Sequence, residues 1–151
     1  KGKTMTMTKK GKKFKLRLPI ETANLEIARE FVARIAKNTG FSDENIHRIE
    51  LAVDEASTNV IKHAYKQSNS NQKQLIIEVT SFEDRIEIDV IDSGKGFDPE
   101  KVKTPEMDIY LKKMKRGGLG LYLIKTLMDK VEYQIKAGVK NRVRMIKYKS
   151  K

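Results

Sequence analysis

The feature that most constrains the fold is a long amphipathic segment that starts near residue 43. Its apolar residues recur at steps of three and four, which predicts a helix with one buried face. Ser42 suits the N-cap position, and Asp43 and Glu44 favour the positive end of the helix dipole. We therefore predict a helix that runs to about Tyr65 and packs against another layer. Its apolar stripe consists of Ile46, Ile49, Val53, Ala56 and Val60.

Two elements precede this helix. Alternating apolar residues over 14–20 predict a strand that ends near the proline of that segment. Thr22 or Asn24 can cap a following helix that runs to about Thr39. Gly40 then suits the left-handed position at the C-terminus of that helix.

The part of the chain after residue 65 alternates between strands, an irregular segment and one more helix. The two central strands are separated by a tight Glu83-Asp84 connection, which predicts a hairpin. The order favours an α+β fold: a two-layer sandwich with a mixed, mainly antiparallel sheet and helices on one face. The predicted bounds are a loop over 66–74, strands over 75–82 and 85–92, an irregular segment over 93–118, a helix from 119 or 120 to about 129, and strands over 131–136 and 143–148.

Charge is distributed unevenly along the 151 residues. The net charge is +12, and residues 1–17 contribute +8 of it, from seven lysines and Arg17 without any acid. This predicts a basic, flexible tail over 1–13 and a single domain over 14–151. A basic tail without interleaved aromatic residues is weak support for nucleic-acid binding, so we do not expect direct binding to nucleic acid. No apolar run reaches the roughly 20 residues that cross a membrane, and cysteine is absent, so we expect a cytoplasmic protein without membrane contact.

Glu55 and Asn59 are the first candidate site residues. They are four residues apart, so they lie beside each other at the margin of the apolar stripe of the long helix. A carboxylate and an amide oxygen on one helical ledge can serve a magnesium ion and an attacking hydroxyl. Such a pair is also common on solvated helix surfaces, so this observation alone does not decide between the two interpretations.

A second candidate is the segment Asp92-Ser93-Gly94-Lys95-Gly96, which follows a strongly apolar strand. An acid at a strand end can accept a hydrogen bond from the edge of a base, and spaced glycines let the backbone approach a flat ring closely. The ordinary alternative is a turn, because Asp-x-Gly is a frequent turn former.

A third candidate is the segment 115–121, which has the sequence Lys-Arg-Gly-Gly-Leu-Gly-Leu and opens the last helix. Free backbone N–H groups at a helix N-terminus suit phosphate, and Lys115 and Arg116 add positive charge beside them. The glycines and the residue between them are Gly117, Gly118, Leu119 and Gly120. A flexible loop before an ordinary helix is the alternative interpretation.

The order and spacing of these three segments resemble the N, G1 and G2 boxes of the GHKL ATPases, which share the Bergerat fold. The resemblance covers about residues 14–148, nearly the whole chain. Within that superfamily, the segments Glu50–Tyr65 and Gly117–Tyr133 are most similar to bacterial anti-sigma-factor serine kinases. The resemblance implies ATP and Mg²⁺ as cofactors, an anti-sigma-factor antagonist protein as the substrate, a sigma factor as a second partner, and a homodimer.

The resemblance also implies a role for each matched residue. Asn59 corresponds to the Mg²⁺ ligand, Glu55 to the general base, and Asp92 to the acid that reads the adenine amino group. Gly94 and Gly96 shape the floor below the base. The remaining matches lie in the cover over the phosphates: Lys115, Arg116, Gly117, Gly118, Leu119 and Gly120.

Two other functions remain open at this point. A detached catalytic domain of a histidine kinase is one, although neither His47 nor His63 is followed by the acidic residue typical of a phosphoacceptor. A nucleotide-binding switch that does not transfer phosphate is the other. The chain also departs from many relatives, because no threonine follows Thr126 to support adenine from the last strand.

Overall fold

The computed structural model describes residues 10–65, 74–92, 119–136 and 140–149. Outside these described residues lie the tail residues 1–9, the segment 66–73 and the whole irregular segment that we predicted over 93–118. The helix and strand types agree with those predicted from the sequence, with bounds that differ by a few residues. In chain order the elements are β1 (Lys12–Pro19), a short 3₁₀ turn (Thr22–Asn24), α1 (Leu25–Thr39), α2 (Asp43–Tyr65), β2 (Gln74–Ser81), β3 (Arg85–Asp92), α3 (Leu119–Leu127), β4 (Lys130–Lys136) and β5 (Lys140–Tyr148).

The five strands form one sheet in the order β1-β2-β3-β5-β4. Every strand pair within the described ranges is antiparallel, so the sheet is antiparallel and the prediction of a mixed sheet was wrong in this respect. The reason is the position of β5: the chain passes through α3 to the edge strand β4, and β5 then returns between β4 and β3. Each neighbouring pair therefore runs in opposite directions, although β3 and β5 are far apart along the chain.

β1 begins two residues before its predicted start at Phe14. Lys12 and Lys13, which we expected in the tail, pair in register with Ser81 and Thr80 of β2. The alternation of apolar residues begins only at Phe14, so a hydrophobic pattern could not locate the start of this strand.

The hydrophobic core lies between the helices and one face of the sheet. α1 and α2 pack on each other and on β2 and β3, while α3 packs on α2 and β4. The sheet contributes alternate residues to this core, as expected for strands with one covered face. The largest of its fully buried side chains are Ile49, Leu75, Ile77, Ile86, Ile88, Ile124 and Met145. None of the helices in the described ranges combines the length and the apolar character that a membrane span requires.

The opposite face of the sheet carries a row of ion pairs, which we call the charge ladder. It joins Lys15, Glu78, Asp89, Arg142 and Arg144 across β1, β2, β3 and β5. Its shortest pair links the Arg144 Nε to the Asp89 Oδ1 at 2.9 Å, and the other three N–O distances are 3.6 to 3.9 Å.

The helix ends agree with the predicted caps, except at one position. Gly40 has a φ of 106°, and its N–H donates to the carbonyls of Ala36 and Lys37. The Ser42 hydroxyl accepts a hydrogen bond of 3.3 Å from the backbone N–H of Asn45. Asn24 does stand before α1, but its side chain makes no capping bond, because its backbone is helical, with φ −83° and ψ −5°, where an N-cap residue is extended. Its side-chain amide donates to the Pro19 carbonyl at 2.7 Å.

The C-terminal end of α3 is attached to β5 by two side chains. The buried Lys147 amine donates to the Leu127 carbonyl at 2.9 Å, which satisfies a carbonyl at the helix end. The Asp129 carboxylate accepts a bond of 2.7 Å from the Tyr148 backbone N–H. These bonds hold the end of α3 to the sheet.

Candidate functional site

Asp92 is the last residue of β3, and its side chain lies on the helix-covered face of the sheet. It continues the alternating row of Ile86, Ile88 and Val90, all of which are fully buried in the core. The Asp92 side chain is itself 0% exposed. A carboxylate is costly to remove from water, so an acid at the end of an apolar row is a candidate for a function.

Glu55 and Asn59 both lie on α2 and are half-buried. On the other flank of the same apolar stripe, Asp54 accepts a hydrogen bond of 2.9 Å from Arg29 of α1. With 3.6 residues per turn, Glu55 and Asn59 lie on the flank opposite to Asp54 and therefore away from α1. Among the described helices, α1 and α3 both pack on α2. The two candidate residues, which lie away from α1, are therefore on the α3 side.

The direction of α2 is fixed by the turn that precedes it. The hydroxyls of Thr39, at the end of α1, and Ser81, at the end of β2, are 2.6 Å apart. Ser81 is at the opposite end of the sheet from Asp92, because Ser81 pairs with Ile86 whereas Leu75 pairs with Asp92. α2 therefore starts near the Ser81 end and runs towards the Asp92 end.

Helix and strand lengths bring Asn59 to the same end of the molecule as Asp92. From Asp43 to Asn59 the helix rises about 24 Å at 1.5 Å per residue. From Arg85 to Asp92 the strand advances about 23 Å at 3.3 Å per residue. Asn59 and Asp92 consequently lie at the same end of the molecule and on the same side of the sheet, and Glu55 lies one helical turn before Asn59.

The third predicted segment is described only in part. Leu119 and Gly120 are the first residues of α3, which begins where the sequence predicted it. The other predicted site residues lie outside the described residues: Gly94, Gly96, Lys115, Arg116, Gly117 and Gly118.

The sequence alone did not identify the residue that pairs with Asp92 on the neighbouring strand. The strand register places Asn141 of β5 directly opposite Asp92, at the end of the sheet where we had looked for a threonine. β3 and β5 are not consecutive strands, so no local pattern in the sequence gives their register. Only the paired strands identify position 141 as a neighbour of the site.

Tyr133 was also missed. It lies on β4 and packs against the core on the same face as Asp92. Its hydroxyl is buried and has no hydrogen-bond partner among the described residues. Burial raises the pKa of Tyr133 to about 12. The phenol is therefore neutral at physiological pH, and no sequence motif marks it.

The fold and the site define a class of protein. Residues 18–147 match the family of the histidine kinase-like ATPase domain, and the chain belongs to this family. The fold is also that of a chain in the crystal structure of the SiaB–SiaC complex from Pseudomonas aeruginosa, with a TM-score of 0.64 and 12% identity over 96% of this chain and 94% of that one.

Curated relatives narrow the class to one kind of kinase. A serine-protein kinase RsbW from Bacillus licheniformis is 39% identical over 129 residues, which is 82% of this chain and 79% of the relative. The protein of that name from Listeria monocytogenes serotype 4a is 38% identical over 140 residues, 90% of this chain and 87% of the relative. The chain is thus a member of the serine-protein kinase family that includes these proteins, as the resemblance implied.

Proposed function

We propose that this chain binds ATP at the Asp92 end of the sheet and transfers the γ-phosphoryl group to a serine of an anti-sigma-factor antagonist protein. The observation that carries the proposal is the buried Asp92 carboxylate at the end of the apolar row, at the end of the sheet towards which α2 runs with Asn59. This arrangement supports a pocket that binds a base at its floor and phosphates at its rim.

The Asp92 carboxylate accepts a hydrogen bond from the adenine amino group. A buried carboxylate discriminates well between a base that donates a hydrogen bond at this position and one that does not, because a base that presents an acceptor there is repelled by the negative charge. Gly94 and Gly96 leave room for the ring above the strand end.

The Glu55 carboxylate takes up the proton of the attacking serine. The serine oxygen forms a bond to the γ-phosphorus, the bond between that phosphorus and the β,γ-bridging oxygen breaks, and ADP leaves with the bond's electrons. Glu55 is half-buried on the α3 side of α2, one turn from Asn59, which supports its access to a bound substrate.

Mg²⁺ fits the donor chemistry of this end of α2. The Asn59 amide would offer the ion one hard oxygen, which suits a cation that takes few protein ligands and otherwise binds phosphate and water. When bound, the ion neutralises charge on the phosphates. Lys115 and Arg116 add positive charge at the γ-phosphate, and the N–H groups of Gly117, Gly118, Leu119 and Gly120 cradle the phosphate chain at the start of α3.

The same proposal includes the partners that the family resemblance implies. The chain binds a sigma factor while the antagonist is phosphorylated, and it acts as a cytoplasmic homodimer. Sedimentation velocity on the purified chain, with and without ADP, tests the dimer directly: a species of a single 17.4 kDa chain at micromolar concentration would contradict it.

The test of the catalytic proposal is a transfer assay with labelled ATP, Mg²⁺ and candidate antagonist proteins. We expect acid-stable phosphoserine on the antagonist. Glu55→Gln should reduce the transfer rate by about 100-fold or more with little loss of ATP affinity, because it removes only the base. Asn59→Ala should weaken both ATP binding and transfer. Glu44→Gln, at the exposed start of the same helix, is the matched control and should transfer at the normal rate.

Three outcomes would contradict this assignment. Label that is labile to acid and stable to base indicates phosphohistidine and a histidine-kinase domain. Tight ATP binding without transfer to any antagonist indicates a switch that only binds. Unchanged transfer in Glu55→Gln removes Glu55 from the role of base.

A further inference from the structure

Two exposed leucines lie on the helices that carry the proposed site. Leu51 of α2 is 39% exposed and Leu123 of α3 is 37% exposed. They are two of the four exposed large apolar side chains within the described ranges, and the other two, Phe14 and Ile27, lie on β1 and α1. A single exposed leucine is ordinary on a protein surface, so the positions of these two decide whether they have a function.

Leu51 lies one helical turn before Glu55. Residues four apart are neighbours on a helix surface, so Leu51 and Glu55 share one strip of α2. The next two residues, Ala52 and Val53, are fully buried, so the exposed Leu51 lies on the side of α2 that faces away from the core. Leu51 is therefore an outward-facing apolar side chain beside the carboxylate that we propose as the base.

Leu123 lies one turn after Leu119, which is the first residue of α3 and part of the proposed phosphate site. Leu127, one turn further on, is partly buried against the core, whereas Lys125 on the other flank is exposed. Within the described ranges α3 packs mainly on α2, with β4 beneath it. The flank that carries Leu123 and Leu127 is therefore the one turned towards α2.

Leu51, Glu55 and Leu123 thus belong to one surface, which we call the α2–α3 surface. Each leucine is one turn, about 5.4 Å along its helix, from a group that we propose to act in the transfer. Direct transfer brings the serine oxygen within about 3.5 Å of the γ-phosphorus and its proton within hydrogen-bond reach of Glu55. A serine on a folded protein brings that protein's surface with it, and a typical interface covers about 800 Å² of each partner, a patch of roughly 16 Å radius. Both leucines therefore fall within the footprint of the protein that delivers the serine.

The exposed charges around the α2–α3 surface select an acidic partner. Lys62 of α2, two turns beyond Glu55, and Lys125 of α3 are both exposed, and neither forms an ion pair with another described residue. Arg48 is also exposed, but Glu44 compensates it at an N–O distance of 2.9 Å. The uncompensated charge at the rim is therefore positive, and complementary charge on a partner raises the association rate and the specificity.

We propose that the α2–α3 surface is the docking site for the protein that carries the acceptor serine. That protein places an apolar side chain against Leu51 and Leu123, and acidic side chains near Lys62 and Lys125. The leucines hold the substrate protein and do not touch the reacting atoms, so they set its affinity and not the rate of the chemical step. The inference rests on the phosphotransfer proposed above, because the proposed base and phosphate site fix where the serine arrives.

The test measures transfer from ATP to the antagonist protein that the wild-type chain phosphorylates, as a function of antagonist concentration. Leu51→Ser and Leu123→Ser should each raise the KM for the antagonist about tenfold, because each removes apolar contact area. The kcat at saturating antagonist and the affinity for ADP should stay within a factor of about two, since a loss of equal binding in ground and transition states changes KM alone. Glu132→Ser, at an exposed position opposite Arg144 on the charge-ladder face, is the control and should leave KM unchanged.

A second substrate separates docking from damage to the active site. A six-residue peptide centred on the phosphorylated serine of the antagonist lacks the folded surface that we propose to meet the leucines. Its kcat/KM should change by less than about twofold in Leu51→Ser and Leu123→Ser. The double change Lys62→Glu and Lys125→Glu should lower kcat/KM for the whole antagonist about tenfold, and high salt should reduce this effect. Circular dichroism of each variant checks that the fold is retained.

Several results would overturn the docking site. Normal transfer by the wild type with an unchanged KM in both leucine variants removes the docking site and leaves the phosphotransfer standing, whereas no transfer by the wild type removes both. An equal loss with the six-residue peptide, or in Glu132→Ser, means that the substitutions act on the active site or on the fold. A leucine variant that weakens sigma-factor binding but not antagonist KM assigns the surface to that partner, and one that changes the sedimentation of the chain assigns it to a second copy.

Discussion

β3 contains two buried aspartates that lie on opposite faces of the sheet. Asp89 is 6% exposed on the charge-ladder face, where Arg144 donates two hydrogen bonds of 2.9 and 3.0 Å to its carboxylate. Asp92 is 0% exposed on the helix-covered face, where it ends the apolar row. These two aspartates are only three residues apart, but their surroundings differ because successive side chains of a strand point to opposite faces of the sheet.

The comparison separates an acid that stabilises the fold from one that we assign to ligand binding. The hydrogen bonds to Asp89 raise the pKa of the Arg144 guanidinium above its usual range, so the guanidinium stays charged. Asp89 is thus compensated within the sheet. Asp92 lies on the helix-covered face, at the end of the sheet where we propose that the nucleotide binds.

The largest expected effect concerns the apolar residues of the two faces. Ile88→Ala should reduce the free energy of unfolding by about 4 kcal/mol, because the side chain is fully buried between sheet and helices. Ile76→Ala, on the charge-ladder face, should cost about 2 kcal/mol, since Ile76 lies outside that core. Urea unfolding measures both values. Equal costs would mean that the two faces are packed equally well.

The next effect concerns nucleotide binding. Asp92→Asn should weaken ADP binding about 100-fold, or about 2.7 kcal/mol, because it removes the negative charge and one of the two acceptor oxygens that can meet the adenine amino group. Asp89→Asn should leave ADP affinity within a factor of about two, since it lies on the other face of the sheet. Isothermal titration calorimetry separates these expectations, and a loss of the same size in both variants would break the comparison.

A smaller effect concerns stability. Asp89→Asn should lower the free energy of unfolding by about 2 kcal/mol, because it leaves Arg144 without its charged acceptor. Asp84→Asn removes an exposed ion pair with Arg85 and should cost less than about 0.5 kcal/mol. If chemical denaturation finds Asp89→Asn neutral, the charge ladder does not stabilise the sheet.

The smallest expected effect concerns Tyr133. Tyr133→Phe should raise the free energy of unfolding by about 1 kcal/mol at neutral pH, because it removes a buried hydroxyl without a partner among the described residues.

The pKa of Tyr133 is about 12 when folded and near 10 when unfolded, so ionisation of the unfolded chain lowers stability as pH rises through this interval. Tyr133→Phe should lose less stability between pH 9.5 and about 11 than the wild type does. Equal pH dependence would contradict the pKa shift.

Local patterns in the sequence predicted the elements well. The apolar spacing located α2 and the hairpin of β2 and β3, and Gly40 and Ser42 marked the turn between α1 and α2. These predictions depend only on residues that are close in the sequence, so they can be made without knowledge of the tertiary structure. The predicted cap at Asn24 failed because the preceding 3₁₀ turn gives this residue a helical backbone, with φ −83° and ψ −5°, where an N-cap residue is extended.

Features that depend on strand order could not be predicted. The antiparallel pairing of β3 with β5 places Asn141 beside Asp92 and Arg144 beside Asp89. Both relations follow from the insertion of β5 between β3 and β4, which no local pattern encodes. The motifs identified Glu55, Asn59 and Asp92 as candidates, but the fold was needed to place Asn59 and Asp92 at the same end of the molecule.

The attachment of α3 has a mechanical consequence. Lys147 and Asp129 fasten its C-terminal end to β5, while its first residues, Leu119 and Gly120, are ones that we propose to bind phosphate. Because the C-terminal end is fixed, a displacement at Leu119 would change the angle of α3 against α2 and would not shift the whole helix. Phosphate binding at the proposed site would thus tilt α3 about its attachment to β5.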